Sequence, residues 1–188
     1  MKITRSLFVS VFVISLVAAN SCAAGKTSEI WFKRAVTAFE LSLAGDESVT
    51  GVALNQFKIL SMTYPDNPLF LAYKGACKTL MGRDAWMPWN KTGYTEDGLD
   101  QISHALRMLK PKHDQQMMLG TPISVETRLI AVSTFSEVPD IFNHFEKAKV
   151  VLKQLLQSPA LKASPPELQA KVNQLAAKIA HKENQRHQ

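Results

Sequence analysis

Apolar residues recur along most of this chain at the three- and four-residue intervals of amphipathic helices. No stretch shows the strict alternation of apolar and polar positions that is typical of a half-buried strand. The pattern predicts an all-α fold of about seven helices, separated by turns rich in Gly, Pro, Asp and Asn. We predict helices over residues 31–44, 48–63, 68–81, 95–109, 124–137, 141–157 and 165–181.

Three of these helices share one internal spacing. A small residue is followed by larger apolar residues four and three positions later, and a proline ends the helix. The three sets are Ala53, Phe57, Leu60 and Pro65; Gly98, Ile102, Ala105 and Pro111; and Ala148, Leu152, Leu155 and Pro159. Each set is expected in the second helix of a hairpin, and the last helix is expected to cap the stack of hairpins. The alternative is an irregular helical bundle, because any helical core places apolar residues at helical spacing.

The stretch that contains Tyr73, Gly75, Leu80 and Gly82 resembles the first helix of a tetratricopeptide repeat. This resemblance implies antiparallel helix hairpins stacked in a short array, and it implies that the protein holds another protein or peptide. Gly98, the small residue of the next helix, departs from the family's even spacing because it lies too far along the chain from the first helix. The segments YPDNPLFLAYKGA, PWNKTGYTEDGL and GTPISVETR are also similar to small exported proteobacterial proteins of unassigned function, which implies no activity.

Residues 82–93 interrupt the helical pattern, and we predict an irregular loop inserted between two helices. Aromatic residues and methionine on such a loop are typical of a binding hot spot, with nearby cations at its rim. Alternatively, the tryptophans fold back and plug the gap between the two helices, since an exposed tryptophan is costly without a partner. The predicted partner-binding residues are Arg83, Trp86, Met87, Trp89, Lys91, Tyr94 and Arg107.

A second function is suggested by acidic residues and a histidine on one helical face. Asp97, Asp100 and His104 lie three and four positions apart, with Tyr94 nearby, and such groups can bind a divalent metal or a small ligand. They are equally typical of a solvated helix whose first turn favours acids. No nucleophile, base and orienting residue stand out together, so we expect no catalysis and no cofactor.

The first 24 residues have the pattern of a cleaved signal peptide. A basic start is followed by an apolar run and by small residues, with cleavage expected after Ala23 or Ala24. Cys22 is a possible lipidation site, because bacterial lipoprotein signals end in a cysteine. The protein is therefore expected to be periplasmic or secreted, and attached to a membrane only through a lipid on Cys22.

The remaining chain is expected to form one helical domain over residues 25–181, followed by a frayed polar tail at 182–188. Without Lys2 and Arg5 its formal net charge falls from +6 to +4, and the cations are scattered rather than interleaved with aromatics. Nucleic acid is therefore not an expected partner. Cys77 is the lone thiol of that domain and is expected to act as a small buried hydrophobe.

Overall fold

The structure, a computed structural model, describes residues 27–186, and these residues form an all-α fold. The predicted signal peptide and Cys22 lie outside the described residues. The eight α-helices of the described part are α1 (27–43), α2 (Thr50–Thr63), α3 (Pro68–Asp84), α4 (Pro88–Arg107), α5 (Ile123–Glu137), α6 (Phe145–Gln157), α7 (Pro159–Lys162) and α8 (Pro166–Arg186). Short 3-10 helices lie at Glu47–Val49, Pro111–Asp114 and Asp140–Phe142, and a two-residue hairpin pairs β1 (Met117–Met118) with β2 (Thr121–Pro122). None of these helices is long and apolar enough to cross a membrane.

The helix ends follow local sequence rules. Gly45 adopts a positive φ of 110° just after α1, a conformation that costs glycine little. At the start of α3, the Asn67 side chain accepts a hydrogen bond of 3.1 Å from the Leu69 amide. Pro68 occupies the first position of that helix, where its missing N–H needs no partner.

Tyr73 stands at the centre of the core formed by the first three helices. Its ring stacks on Phe57 of α2 at 4.8 Å between centroids, and it meets Phe32 and Phe39 of α1 edge to face. Its hydroxyl donates a 2.7 Å hydrogen bond to Glu126 of α5. One side chain of α3 therefore links α1, α2 and α5, and its burial and the Glu126 carboxylate raise the pKa of the phenol.

The positions of the predicted repeat spacing all face the interior. The small and large residues of all three sets, nine positions in total, are buried. Consecutive helices pack against each other, and α3 also contacts α5. Helix α8, in which Val172 and Ile179 are buried, contacts α5 and α6. The arrangement supports stacked hairpins ending in a C-terminal helix.

The predicted loop at 82–93 is wrong. The chain is irregular only over residues 85–87, and α4 already begins at Pro88. A side chain on Gly98 would place its Cβ 2.5 Å from the Gly75 carbonyl oxygen, so the two backbones touch at these glycines. Gly98 nevertheless lies directly against Gly75, because residues 82–84 and 88–93 extend α3 and α4 instead of forming a loop.

The predicted frayed tail is also wrong over residues 182–186, which continue α8. The Lys182 ammonium donates to the Ser136 carbonyl at 2.5 Å, and Arg186 forms an ion pair with Asp140 at 2.7 Å. The Arg186 guanidinium also lies 4.4 Å from the centre of the Phe145 ring. These contacts join the end of α8 to the far end of α5 and to the start of α6.

Gly98→Ala tests the contact between α3 and α4. We expect a loss of about 2–3 kcal/mol in the free energy of unfolding, because the new methyl group meets backbone that cannot rotate away. Gly93→Ala on the same helix is the matched control, since its Cβ would enter open space. The control is expected to gain about 0.5–1 kcal/mol from reduced chain entropy. Urea denaturation measures both, and equal effects of the two substitutions would contradict the close contact.

Removal of residues 182–188 tests the docking of α8. Because the lost contacts reach three other segments, we expect the melting temperature to fall by about 3 °C, which corresponds to roughly 1 kcal/mol in a chain of this size. Circular dichroism during heating measures it. An unchanged melting temperature would mean that the last turn of α8 adds nothing to stability.

Candidate functional site

The connection between α3 and α4 is set by its proline. Ala85 and Met87 are both extended, Met87 as the residue before a proline prefers, and Pro88 opens α4. This places Trp86 in the three-residue link and Trp89 in the first turn of α4. We call residues 85–89 the tryptophan turn.

The tryptophan turn is exposed, so the alternative in which the tryptophans plug a gap is wrong. Trp86 is 88% exposed and Trp89 is 69% exposed, and Met87 is exposed beside them. There is no gap to fill, because Gly82 lets the backbone of α4 at Lys91 and the Thr95 side chain lie directly against α3. Tyr94, one turn further along α4, is also exposed, although less so.

A polar network fixes the base of the tryptophan turn. The Arg83 guanidinium donates to the Ser42 carbonyl at 2.9 Å and to the Asp84 carboxylate at 2.6 Å. Thr50 donates to the other oxygen of Asp84 at 2.9 Å, and Ser42 in turn donates to Thr50 at 2.6 Å. Ser42 and Thr50 are buried. The network joins the end of α1, the start of α2 and the end of α3, directly before the turn.

The predicted rim charges do not form one group. Arg83 is engaged in the network just described, and Lys91 donates to the Arg83 carbonyl at 3.3 Å. Arg107 lies 18 residues beyond Trp89 at the other end of α4, which is about 27 Å along the helix. Arg107 is therefore not part of the surface that contains the tryptophans. The site contains Trp86, Met87, Trp89, Lys91 and the nearby Tyr94.

The acidic residues and the histidine of α4 do not form a metal-binding cluster. Asp97 pairs with Lys78 of α3 and accepts a hydrogen bond of 2.8 Å from Gln101. The hydrogen bond from Lys78 holds the pKa of Asp97 below its ordinary value. Asp100 and His104 are exposed. Within residues 27–186, no three or more His, Cys, Asp or Glu side chains lie close enough to hold a metal ion.

The lone thiol of the described residues is buried, as the sequence predicted. Burial raises the pKa of Cys77 to about 12, so that its thiolate is scarcely populated at neutral pH.

A serine and a lysine meet in a place that the sequence does not reveal. Lys147 of α6 donates to the Ser103 hydroxyl at 2.5 Å, and that hydroxyl donates to the Leu99 carbonyl at 2.7 Å. Burial and the nearby Arg107 lower the pKa of Lys147. The serine proton points to a carbonyl rather than to a base, so this pair joins α4 to α6 without activating a nucleophile. The 44 residues between them leave no spacing signal.

A metal titration tests the acidic face directly. Because Lys78 already occupies Asp97, we expect calorimetry with Zn²⁺ or Mn²⁺ to show no tight one-to-one site that Asp100→Ala removes. His181→Ala is the matched control for weak binding to surface histidines. Stoichiometric binding that is lost in Asp100→Ala and kept in His181→Ala would restore the metal alternative.

Comparison with known proteins yields no family model, no curated protein and no solved structure that matches this chain. The resemblance to tetratricopeptide repeats therefore stays a prediction from the sequence.

Proposed function

We propose that this protein is an exported helical-repeat adaptor of a bacterial cell envelope, which binds an apolar segment of a protein or peptide at the tryptophan turn and performs no catalysis. The observation that supports the proposal is the exposure of Trp86 and Trp89 on a short turn between two closely packed helices. The export part rests on the pattern of residues 1–24.

The energy available at the tryptophan turn suits protein recognition. A tryptophan side chain buries roughly 150–250 Å² in an interface. At about 25 cal/mol per Å², complete burial of two such side chains would give roughly 7.5–12.5 kcal/mol before the costs of association. Tryptophan is accordingly enriched among the residues that dominate binding energy.

Rigidity lowers the cost of binding. The turn is short, the end of α3 that precedes it is held by the Arg83 and Asp84 network, and α4 cannot move away from α3 without separating Gly75 from Gly98. Little backbone conformational freedom is therefore lost when a partner binds the turn. The same argument favours contact by the turn itself rather than by the inner faces of the helices, which are occupied by core residues.

Lys91 gives the site its charge. It is the cation closest to Trp89 in the sequence, and Arg83 beneath it is neutralised by Asp84. An apolar partner segment flanked by an acidic residue would therefore fit best, with the acid near Lys91 at the rim.

Site-specific photo-crosslinking tests the proposed function. A photoreactive phenylalanine analogue placed at Trp86 or Trp89 is expected to give one discrete adduct in cell-envelope preparations. The matched control is the third tryptophan, Trp31 of α1, which is 51% exposed and lies outside the turn. We expect excess unlabelled protein to compete the adduct away, and excess Trp86→Ala/Trp89→Ala protein to fail to compete.

Stability provides the second control. Because the tryptophans make few contacts with the rest of the chain, Trp86→Ala/Trp89→Ala should change the free energy of unfolding by less than about 0.5 kcal/mol. Adducts of equal yield at Trp31, or undiminished competition by the double variant, would contradict binding at the turn. A large loss of stability would instead assign the tryptophans a structural role.

A further inference from the structure

His113 is buried in the segment that joins α4 to α5, which we call the connector (residues 108–122). It is 2% exposed and belongs to the 3-10 helix Pro111–Asp114, which packs against α5. A histidine side chain is seldom fully buried in a connecting segment without a polar partner for each nitrogen.

The two ring nitrogens of His113 have different surroundings. The Lys110 amide donates a 2.9 Å hydrogen bond to Nδ1, and the His113 amide returns a 2.9 Å bond to the Lys110 carbonyl. Because Nδ1 accepts, the proton of the neutral ring must lie on Nε2. Nε2 is buried and has no hydrogen-bond partner among the described side chains and backbone groups.

The hydrogen bonds between Lys110 and His113 are compatible only with the neutral form of the His113 ring. A second proton would go to Nδ1, where it would face the Lys110 amide hydrogen and remove the bond between them. The new charge would be buried beside the cations Lys112 and Lys110, with Asp114 as the one opposing charge of that turn. Burial first, then Lys112 and Lys110, lower the pKa of His113.

Helix α5, which packs against the 3-10 helix of His113, provides no free group that would stabilise the protonated ring. The charged residues nearest the start of α5 are Glu126 and Arg128. Glu126 already accepts the Tyr73 hydroxyl, and Arg128 is a cation whose electrostatic partner is Asp114. The protonated ring therefore gains neither a hydrogen bond nor a free carboxylate in the folded connector.

The connector also forms one wall of a cavity. Lys112, Gln116 and Met117 face the turn between α2 and α3 across a space of about 500 Å³, with Tyr64 and Asp66 on the opposite side. The Gln116 carbonyl accepts the Ile123 amide at 2.9 Å, which closes the connector onto the start of α5. Release of the His113 turn would loosen this wall.

We propose that His113 is an acid-sensitive latch, which holds the connector closed when neutral and releases it, together with the wall of the cavity, when protonated. The latch lies at the opposite end of α4 from the tryptophan turn and does not depend on the proposed function. A histidine with a lowered pKa in the closed state favours closure above its free pKa of about 6.5, and this contribution is lost as the pH falls below that value.

Amide hydrogen exchange measured by NMR tests the latch on the full chain. After correction for intrinsic rates, lowering the pH from 7.5 to 5.5 should reduce the protection of the Lys110, Gln116 and Ile123 amides by up to about tenfold. His113→Asn keeps an acceptor near the Nδ1 position without titrating, so its protection should not change with pH. His104→Asn, an exposed histidine on α4, is the matched control and should behave as the parent protein.

Two outcomes would overturn the proposal. One is protection in the parent protein that is equal at both pH values, and the other is the same loss of protection in His113→Asn. If that variant does not fold, the ring can be titrated in the parent protein by its own NMR signals. A proton on Nδ1 in the neutral ring, or a midpoint at or above 6.5, would then refute the latch.

Discussion

The contact between Gly75 and Gly98 is the constraint on which most of this structure depends. With no side chains between them, α3 and α4 approach until backbone meets backbone, and Ile102 reaches the core beside Gly75. Gly82 continues the contact towards the end of the hairpin, against Lys91 and Thr95. Any side chain at these positions would force the helices apart, because carbonyl groups have no alternative rotamers. The position of the tryptophan turn is a consequence of this packing.

The helices and their buried faces were predictable because they follow from local rules. The spacing of small and large residues identified the interior positions of α2, α4 and α6, and all of these are buried. Turn residues such as Gly45, Asn67 and Pro68 act through their own backbone and side chain. The start of α4 was missed for a physical reason. Asn90, Thr92 and Gly93 favour a helix weakly, and only the contact with Gly82 and the proline at its first position offset that weakness.

The candidate site was predictable in its residues but not in its exposure. Trp86 and Trp89 are recognisable as a hot-spot composition, yet whether they point inwards depends on the width of the gap between α3 and α4. That width is a tertiary property which no local pattern encodes. Contacts over long sequence distance were missed for the same reason. Lys147 with Ser103, and Arg186 with Asp140 and Phe145, join segments some forty residues apart.

The direction of α1 determines how far its first residue lies from the tryptophan turn. This helix of 17 residues ends near the tryptophan turn, where the Ser42 carbonyl accepts a hydrogen bond from the Arg83 guanidinium, and so its first residue lies about 25 Å away along the helix axis. A group attached on the amino-terminal side of α1 would therefore join the described residues at the end remote from Trp86 and Trp89, and the length of α1 would separate it from the tryptophan turn.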